Sequence, residues 1–554
     1  MAMDPTEMVR RLRRLGDPTR ADVTVPDRLA APLRRPLDRA WYARHGRLAD
    51  LEALSRSVGC AAPPVSGPKV LISSLRMWTQ HNAIELVLAH ALRMRGAEVE
   101  LLTCGGGQPV CEVGWGRRSS PRPCDRCGHY TDRLAAASGY RLHRLGDEFA
   151  WGKRPGAAPS SAGGLSGANL GAAAFVSAAW LTKSSDPLRT ASGPAAIRDF
   201  EVAGAGVERA ARAILERSRP DVLLLTNGLF ASERILADAA RTMDIDVVTY
   251  EIAPRHATLV FGRCAPAPDM DTGALWESGE HERLTEAEEQ ALTAMMAGRQ
   301  EGSAAHERYF AAPTDDELAI RGELGVRADT PVIAAFTNLA WDTAVLGKDL
   351  GFGSMVDWIA EAALAMAARP DAVLVIRVHP AEVRWGTAQP IEPELLARTG
   401  GLPSNVRIVR PDDPISSYTL MGMAERVLTY TSTVGLEAAL GGRRVAVAGE
   451  SHYRGRGFTD DVRDADHLRA LIAARDDGPL PDDQVELARR YAFAFFFRLM
   501  IPFKQVENRG DQILRLPQDA AELAPGRDPH LDFVCERIMD GGELLLPREL
   551  ALAP

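Results

Sequence analysis

Short apolar runs alternate with stretches of helical spacing along most of this chain. "KVLISSL" (69–75) reads as a strand, and after the polar turn "RMWTQHN" the run "AIELVLAHALRMRGA" is amphipathic at helical spacing and ends at Gly96. "EVELLTC" (98–104) is the next strand, so a βαβ unit and the start of a parallel sheet are predicted here. The rhythm resumes with a helix around 195–217, the strand "DVLLLTNG" (221–228), the helix "SERILADAARTMD" and the strand "DVVTYE" (246–251). A helical stretch over 283–325 leads into a second series: strand "PVIAAFTN" (331–338), helix "GSMVDWIAEAALAMAARP", then strands "AVLVIRVHP" (372–380), "NVRIVRP", "RVLTYTS" and "RRVAVAG".

Three stretches fall outside this rhythm. Residues 1–66 read as helices and connectors, with Leu37, Trp41, Leu48, Leu51 and Leu54 at helical spacing before the breaker "APPVSGP". Residues 105–170 read as irregular, rich in Gly, Ala and Ser towards their end, and are expected to form a mobile loop or linker. The tail, 484–516, holds the aromatic run "YAFAFFFRLMIPF" (491–503), which is too short for a membrane span and is expected to be a packed core helix. No repeat of 20–50 residues is evident.

The fold expected is α/β: two Rossmann-like domains facing a cleft, with an N-terminal helical extension and C-terminal helices. The boundaries expected are 1–66 for the extension, 67–325 for the N-terminal domain with a Cys-rich insertion at 104–127, 326–475 for the C-terminal domain, and 476–554 for helices packing back on the assembly. Ligands in open α/β sheets bind at the carboxyl ends of the strands, which places the chemistry in that cleft.

Composition narrows the class. The 554 residues exceed one core, 46% are hydrophobic and 25% charged, and the net charge is −9. Without a long basic run, nucleic acid is not an expected partner, although Arg10, Arg11, Arg13 and Arg14 leave a local anionic contact open. No apolar signal-peptide region and no membrane-length apolar stretch occurs, so a cytoplasmic protein is expected, with peripheral membrane contact left open. The first strand–helix turn lacks the G-x-G-x-x-G fingerprint, which disfavours NAD or flavin as cofactor.

That turn carries His81 instead, at the start of its helix and facing the cleft. An imidazole with an ordinary pKa near ~6.5 suits removal of a hydroxyl proton; a surface or capping histidine is the plainer reading. Glu251 and His256, at and beyond the end of "DVVTYE", are further candidate bases, and Glu251 is equally suited to pairing with an arginine. In the second series "VIRVHP" ends a strand with Arg377, His379 and Pro380, and "TYTSTVGLEA" sets Thr431, Ser432 and Thr433 before a helix that contains Glu437. Helix N–H groups and Ser/Thr hydroxyls suit a phosphate, and a carboxylate one turn further in suits vicinal ribose hydroxyls; an ordinary N-cap with a solvated glutamate is the plainer alternative. "SHYRGRGFTDD" (451–461) adds His452 and Tyr453 in a glycine-containing loop placed near ligand.

Four of the seven cysteines, Cys104, Cys111, Cys124 and Cys127, lie at C-x6-C-x12-C-x2-C spacing. Such spacing suits one structural, tetrahedral zinc; an iron–sulfur cluster and free thiols are the alternatives.

"RVHP" and "PISSYTLMGMAERVLTYTSTVGLEAALGGRRVAVAGESHYRGRGFTDD" resemble the capsule-polysaccharide-biosynthesis family of GT-B glycosyltransferases, relatives of the capsular Kdo transferases. The similarity spans roughly 330–465 and weakens towards the N-terminus. It implies a nucleotide-sugar donor, with His379 and Pro380 on the nucleotide, Ser432 and Thr433 on its phosphates and Glu437 at the ribose, and a glycan or small-molecule acceptor. Many retaining GT-B enzymes carry E-x7-E, whereas Val445 stands eight residues after Glu437, which points to an inverting single displacement. Non-hydrolysing nucleotide-sugar 2-epimerases and CDP-glycerol glycerophosphotransferases share the architecture implied, and a non-catalytic scaffold is a third class.

Overall fold

The computed structural model describes residues 39–553 apart from 41–42, 109, 114–122, 149–166, 280–282, 306–308, 311, 476–477 and 510–511. The arginine-rich start, most of the N-terminal extension and much of the expected linker lie outside the described residues.

After α1 (Leu48–Ala61) the first unit runs β1 (Lys69–Ser74), α2 (Thr79–Met94), β2 (Glu98–Thr103), α3 (Pro123–Ser138), β3 (Arg141–Arg144), α4 (Gly167–Thr182), α5 (Gly193–Ser218), β4 (Val222–Thr226), α6 (Ala231–Arg241), β5 (Asp246–Ile252) and β6 (Thr258–Arg263). Its strands are ordered β3-β2-β1-β4-β5-β6. The first five are parallel, and β6 turns back antiparallel to β5. Helices cover both faces, so Val70, Ile72 and Leu224 pack on one core and Leu71, Leu223 and Leu225 on the other. Strands buried on both faces read as continuous apolar runs rather than alternating ones.

Helices α7 (Glu286–Glu301) and α8 (Glu317–Leu324) connect to the second unit. That unit runs β7 (Val332–Phe336), α9 (Met355–Ala365), β8 (Val373–Arg377), α10 (Ala381–Trp385), α11 (Ile391–Thr399), β9 (Val406–Val409), α12 (Ser417–Met423), β10 (Ala424–Thr429), α13 (Val434–Leu440), β11 (Arg444–Val447), β12 (Asp460–Asp461) and α14 (Ala465–Ala473). The order β9-β8-β7-β10-β11-β12 is parallel throughout. The two sheets thus share the 3-2-1-4-5 winding, and the expected pair of Rossmann-like domains facing a cleft, a GT-B-like arrangement, is what forms.

The structure corrects three sequence expectations. The stretch 105–170 is not wholly irregular: it holds α3 and the edge strand β3, whose "RLHR" shows no apolar run because one face of an edge strand meets solvent. The helical stretch 283–325 is two capped helices; Thr285 and Glu288 form a capping box on α7, and Asp316 caps α8. The aromatic tail is helical only in part: α15 (Asp482–Phe493) passes into a π-helical turn at Ala494–Leu499. The chain then forms β13 (Ile501–Pro502), antiparallel to β6, and closes with α16 (Pro529–Asp540) against α2. Phe495 and Phe496 are fully buried, as a core helix requires. Among the described residues, no helix is long and apolar enough to cross a membrane.

Candidate functional site

In both sheets the winding reverses beside the first strand, between β1 and β4 and between β7 and β10, and at such points the loops diverge to leave a crevice. Some of the candidate residues collect at these two places.

At the first, the turn after β1 is fixed by Asn82, whose Nδ2 donates to Ser74 Oγ at 2.8 Å and to the Arg76 carbonyl at 3.0 Å. This presents His81 in the first turn of α2, with Nε2 3.0 Å from Glu251 Oε1 at the end of β5. Glu251 Oε2 accepts from Asn227 Nδ2 at 2.9 Å, and Oε1 accepts from the Ile252 N–H at 2.8 Å. Asn227 stands at φ 62, a left-handed conformation that asparagine tolerates, with its Oδ1 bound to the Leu229 N–H. Burial raises the Glu251 pKa, but the hydrogen bonds and the His81 charge outweigh it and hold the carboxyl below its ordinary value. Burial likewise opposes protonation of His81, yet Glu251 and the more distant Glu85 carry its pKa above 6.5. An ionised Glu251 only accepts, so Nε2 carries the proton and Nδ1 is the basic atom; among the described residues Nδ1 has no partner.

Below His81, the buried Glu85 accepts from the hydroxyls of Ser74, Thr226 and Tyr250, and Tyr250 also reaches the His81 carbonyl at 3.3 Å. Burial pushes the Glu85 carboxyl up, and these hydrogen bonds only partly offset it. Beside them Arg76 is shared between Glu233 at 2.6 Å and Glu112 at 2.9 Å. Two buried carboxylates on one guanidinium, with desolvation as the largest cause, push Glu233 up to about 7.

At the second reversal point Asn338 Oδ1 lies 3.4 Å from the Thr431 N–H, and Thr337 Oγ1 accepts from the His379 N–H at 3.1 Å. Thr431 Oγ1 is buried without a hydrogen-bond partner, Ser432 Oγ accepts from the Val434 N–H at 3.3 Å, and Thr433 is the N-cap residue of α13. Pro380 is the N-cap residue of α10. His379 meets the ring of Tyr309, and burial together with the Arg377 charge lowers its pKa to about 4, so it is neutral.

Several predicted residues point elsewhere. Arg377 donates to the Arg410 carbonyl at 2.6 Å and stacks on Phe310. The Glu437 carboxylate is ion-paired with Arg299 of α7 at 2.6 Å and is buried. Tyr453 is fully buried and donates to the Ser432 carbonyl at 2.7 Å, bracing that loop from behind. His452 stacks on Phe495, centroids 3.9 Å apart, and burial lowers its pKa to about 3. His256 turns to Glu507, 3.5 Å away.

The expected zinc site on Cys104, Cys111, Cys124 and Cys127 is not shown. Among the described residues no group of three His, Cys, Asp or Glu is placed to hold a metal ion. Cys127, on α3, packs against the first core, and burial, with Glu112 and Cys104 nearby, pushes the Cys111 thiol up to about 12. The side chain of Cys124 lies outside the described residues.

Three residues at the seam between the sheets, Asp342, Lys183 and Trp180, were not foreseen from the sequence. Asp342, in the loop after β7, is close enough to Glu251 and to Lys183, just beyond α4, for their charges to interact; burial raises its pKa. Trp180 joins the same seam, 5.3 Å from Trp341 and 6.4 Å from Trp78, which in turn lies 5.4 Å from His81. The one sequence signal for this seam was a lone lysine after an apolar helix, too weak to read.

Residues 342–477 match the family model described as capsule polysaccharide biosynthesis protein. Nothing among curated proteins matches the chain. Among solved structures, the beta Kdo 2,7 transferase KpsC of Thermosulfurimonas dismutans is 16% identical over 51% of this chain and 79% of that one, with a TM-score of 0.31. The UDP-GlcNAc 2-epimerase of Neisseria meningitidis bound to UDP-GlcNAc is 11% identical over 76% and 95%, at 0.27. The glycosyltransferase SnogD of Streptomyces nogalater is 16% identical over 77% and 94%, at 0.23. TM-scores this low carry no argument about the site. The family-model match over residues 342–477, a part of the chain that holds His379, the Thr431–Thr433 loop and Glu437, makes that part similar to the capsule polysaccharide biosynthesis proteins.

Proposed function

We propose that the protein is a nucleotide-sugar-dependent glycosyltransferase that moves a sugar onto a hydroxyl of a glycan or small-molecule acceptor by a single, inverting displacement, in the cytoplasm. The observation that carries this reading is the His81–Glu251–Asn227 chain, with Nδ1 of His81 left free at one sheet's reversal point and the Thr431–Thr433 loop at the other. The similarity of residues 342–477 to the capsule family model supports the donor side.

In this mechanism the acceptor hydroxyl gives its proton to His81 Nδ1 as its oxygen attacks the anomeric carbon. The bond from that carbon to the donor phosphate breaks, and the electron pair leaves with the phosphate. Glu251 stabilises the imidazolium that forms, and Asn227 keeps the carboxylate aimed. The N–H groups and hydroxyls of residues 431–433 receive the phosphate charge, Thr431 Oγ1 being a donor with no other partner. Glu437 serves the loop from behind through Arg299 rather than reaching a ribose with a free carboxylate.

The test is acceptor-dependent release of nucleotide from CMP-, CDP-, UDP-, GDP- and TDP-sugars, offered with glycan and small-molecule acceptors. Turnover to an epimer with no acceptor present assigns the site to a 2-epimerase instead. Binding without turnover by any donor leaves the scaffold reading.

A further inference from the structure

The cleft holds a cation that this mechanism does not use. Lys183 stands at φ 53, just past the end of α4, in a left-handed conformation that side chains other than Gly and Asn seldom adopt. Its Nζ lies 3.9 Å from the ring centroid of Trp180, 4.3 Å from Trp341 and 5.6 Å from Trp385. Aromatic faces attract an ammonium but accept none of its three N–H bonds in the way an oxygen does.

Among the described residues no carboxylate comes within ion-pair distance of Lys183. Asp342 faces it across a wider gap, its Oδ1 occupied by the Ala344 N–H at 2.9 Å. The other cations near the seam are engaged: Arg76 with Glu112 and Glu233, Arg299 with Glu437, Lys348 with Asp269. Burial lowers the Lys183 pKa to about 8, which leaves it mostly charged at neutral pH and short of an acceptor. A neutral sugar in the seam would offer that ammonium hydroxyl oxygens but no counter-charge, and a bond to an anionic oxygen is roughly twice as strong.

We propose that Lys183, walled by Trp180 and Trp341, is a subsite for an anionic oxygen group, a carboxylate or a phosphate, carried by the molecule on which His81 acts. The rings of Trp180, Trp78 and His81 follow one another along the seam, so the subsite is continuous with the base. Flat apolar walls with one charged group set among them fix the orientation of a ligand. The proposal rests on the glycosyltransfer reading only for taking this cleft as the substrate's place.

The experiment is direct binding to the full chain, by titration calorimetry and tryptophan fluorescence, with three probes: glucuronate, inorganic phosphate and glucose. Saturable binding of glucuronate or phosphate, at concentrations where glucose does nothing, is expected; whichever anion binds names the group. Lys183→Gln should weaken that binding by at least about tenfold, and Lys183→Arg should retain most of it. Wild-type affinity should also fall as pH rises through about 8, with the same fall in His81→Ala, which removes the histidine's own titration. Glutamine-variant affinity equal to wild type, glucose binding as well as glucuronate and phosphate, or affinity flat across pH 7–9 would each overturn the subsite. Lost turnover with intact anion binding in His81→Ala fits both readings. Retained turnover in that variant sinks the catalytic one and leaves the subsite standing.

Discussion

His81 Nε2 meets Glu251 Oε1 at 3.0 Å across 170 residues of chain, because β1 and β5 flank β4 and end at the same edge of one parallel sheet. The pair has a pH signature. Its interaction raises the His81 pKa above 6.5, so the basic form accumulates only above that value and the acid limb of kcat/KM should lie there. Glu251→Gln removes the charge and should move the limb to lower pH while lowering the rate. Stability follows with fixed signs: the raised His81 contributes stability below its unfolded pKa and loses it as pH rises through the folded one. The depressed Glu251 contributes stability above its unfolded pKa and loses it as pH falls through the folded one. Melting temperature against pH should therefore flatten in His81→Asn on the alkaline side. An unmoved acid limb in Glu251→Gln would dissociate the pair from the chemistry.

His81→Ala should lower kcat by about 10²-fold or more and leave the affinity for donor nucleotide within a factor of about two, since a base contributes on that scale and the proposed partner of Nδ1 is the acceptor hydroxyl. Calorimetry with the donor and single-turnover rates separate the two effects. A variant that loses donor affinity in step with rate would place His81 in binding.

Thr431→Val removes a buried hydroxyl that has no partner. The unliganded protein should be unchanged or more stable by about 1 kcal/mol, because an unsatisfied polar group goes with it. Donor affinity should fall by roughly 1.5–3 kcal/mol if that hydroxyl binds phosphate. Opposite movement of melting temperature and affinity is the signature. Unchanged affinity would remove Thr431 from the donor site.

Gly435→Ala should disturb the loop from behind. A Cβ there would stand 2.1 Å from the Tyr453 hydroxyl, which is buried and holds the Ser432 carbonyl. Tyr453 has no room to retreat, so a loss of about 1–3 kcal/mol of stability is expected, with weakened donor binding. Adding Tyr453→Phe to this variant should restore part of the stability but not the affinity, as measured by denaturant unfolding and calorimetry.

The central strands were legible because burial on both faces makes them unbroken apolar runs; "VLLLT" and "VLVIR" carry no competing pattern. Strand β3 was not, since Arg141 and Arg144 on an edge look like loop. Strand β6 was missed because the left-handed Ala257 at φ 53 turns the chain without a glycine or an asparagine to announce it. His81 and Glu251 were legible singly, from their places at strand ends, whereas their contact depends on sheet order. Glu437 misled because its partner, Arg299, is 138 residues away and leaves no local trace. His452 and Tyr453 misled differently: the glycines around them imply a loop, but the rings fold under it into the core, where large aromatic side chains gain most.

The return of the tail to the first sheet reverses the order of making and finishing. Ile501, Phe503, Ile513, Leu531, Val534, Ile538 and Leu546 belong to the same core as Val70, Ile72 and Leu224. On the ribosome the first sheet emerges early, yet its outer strand and much of its covering arrive only after the whole second domain has been synthesised. The nascent amino-terminal half therefore waits through synthesis of the second domain with an open strand edge and part of an apolar face uncovered, the kind of species that chaperones bind and that aggregates when they do not.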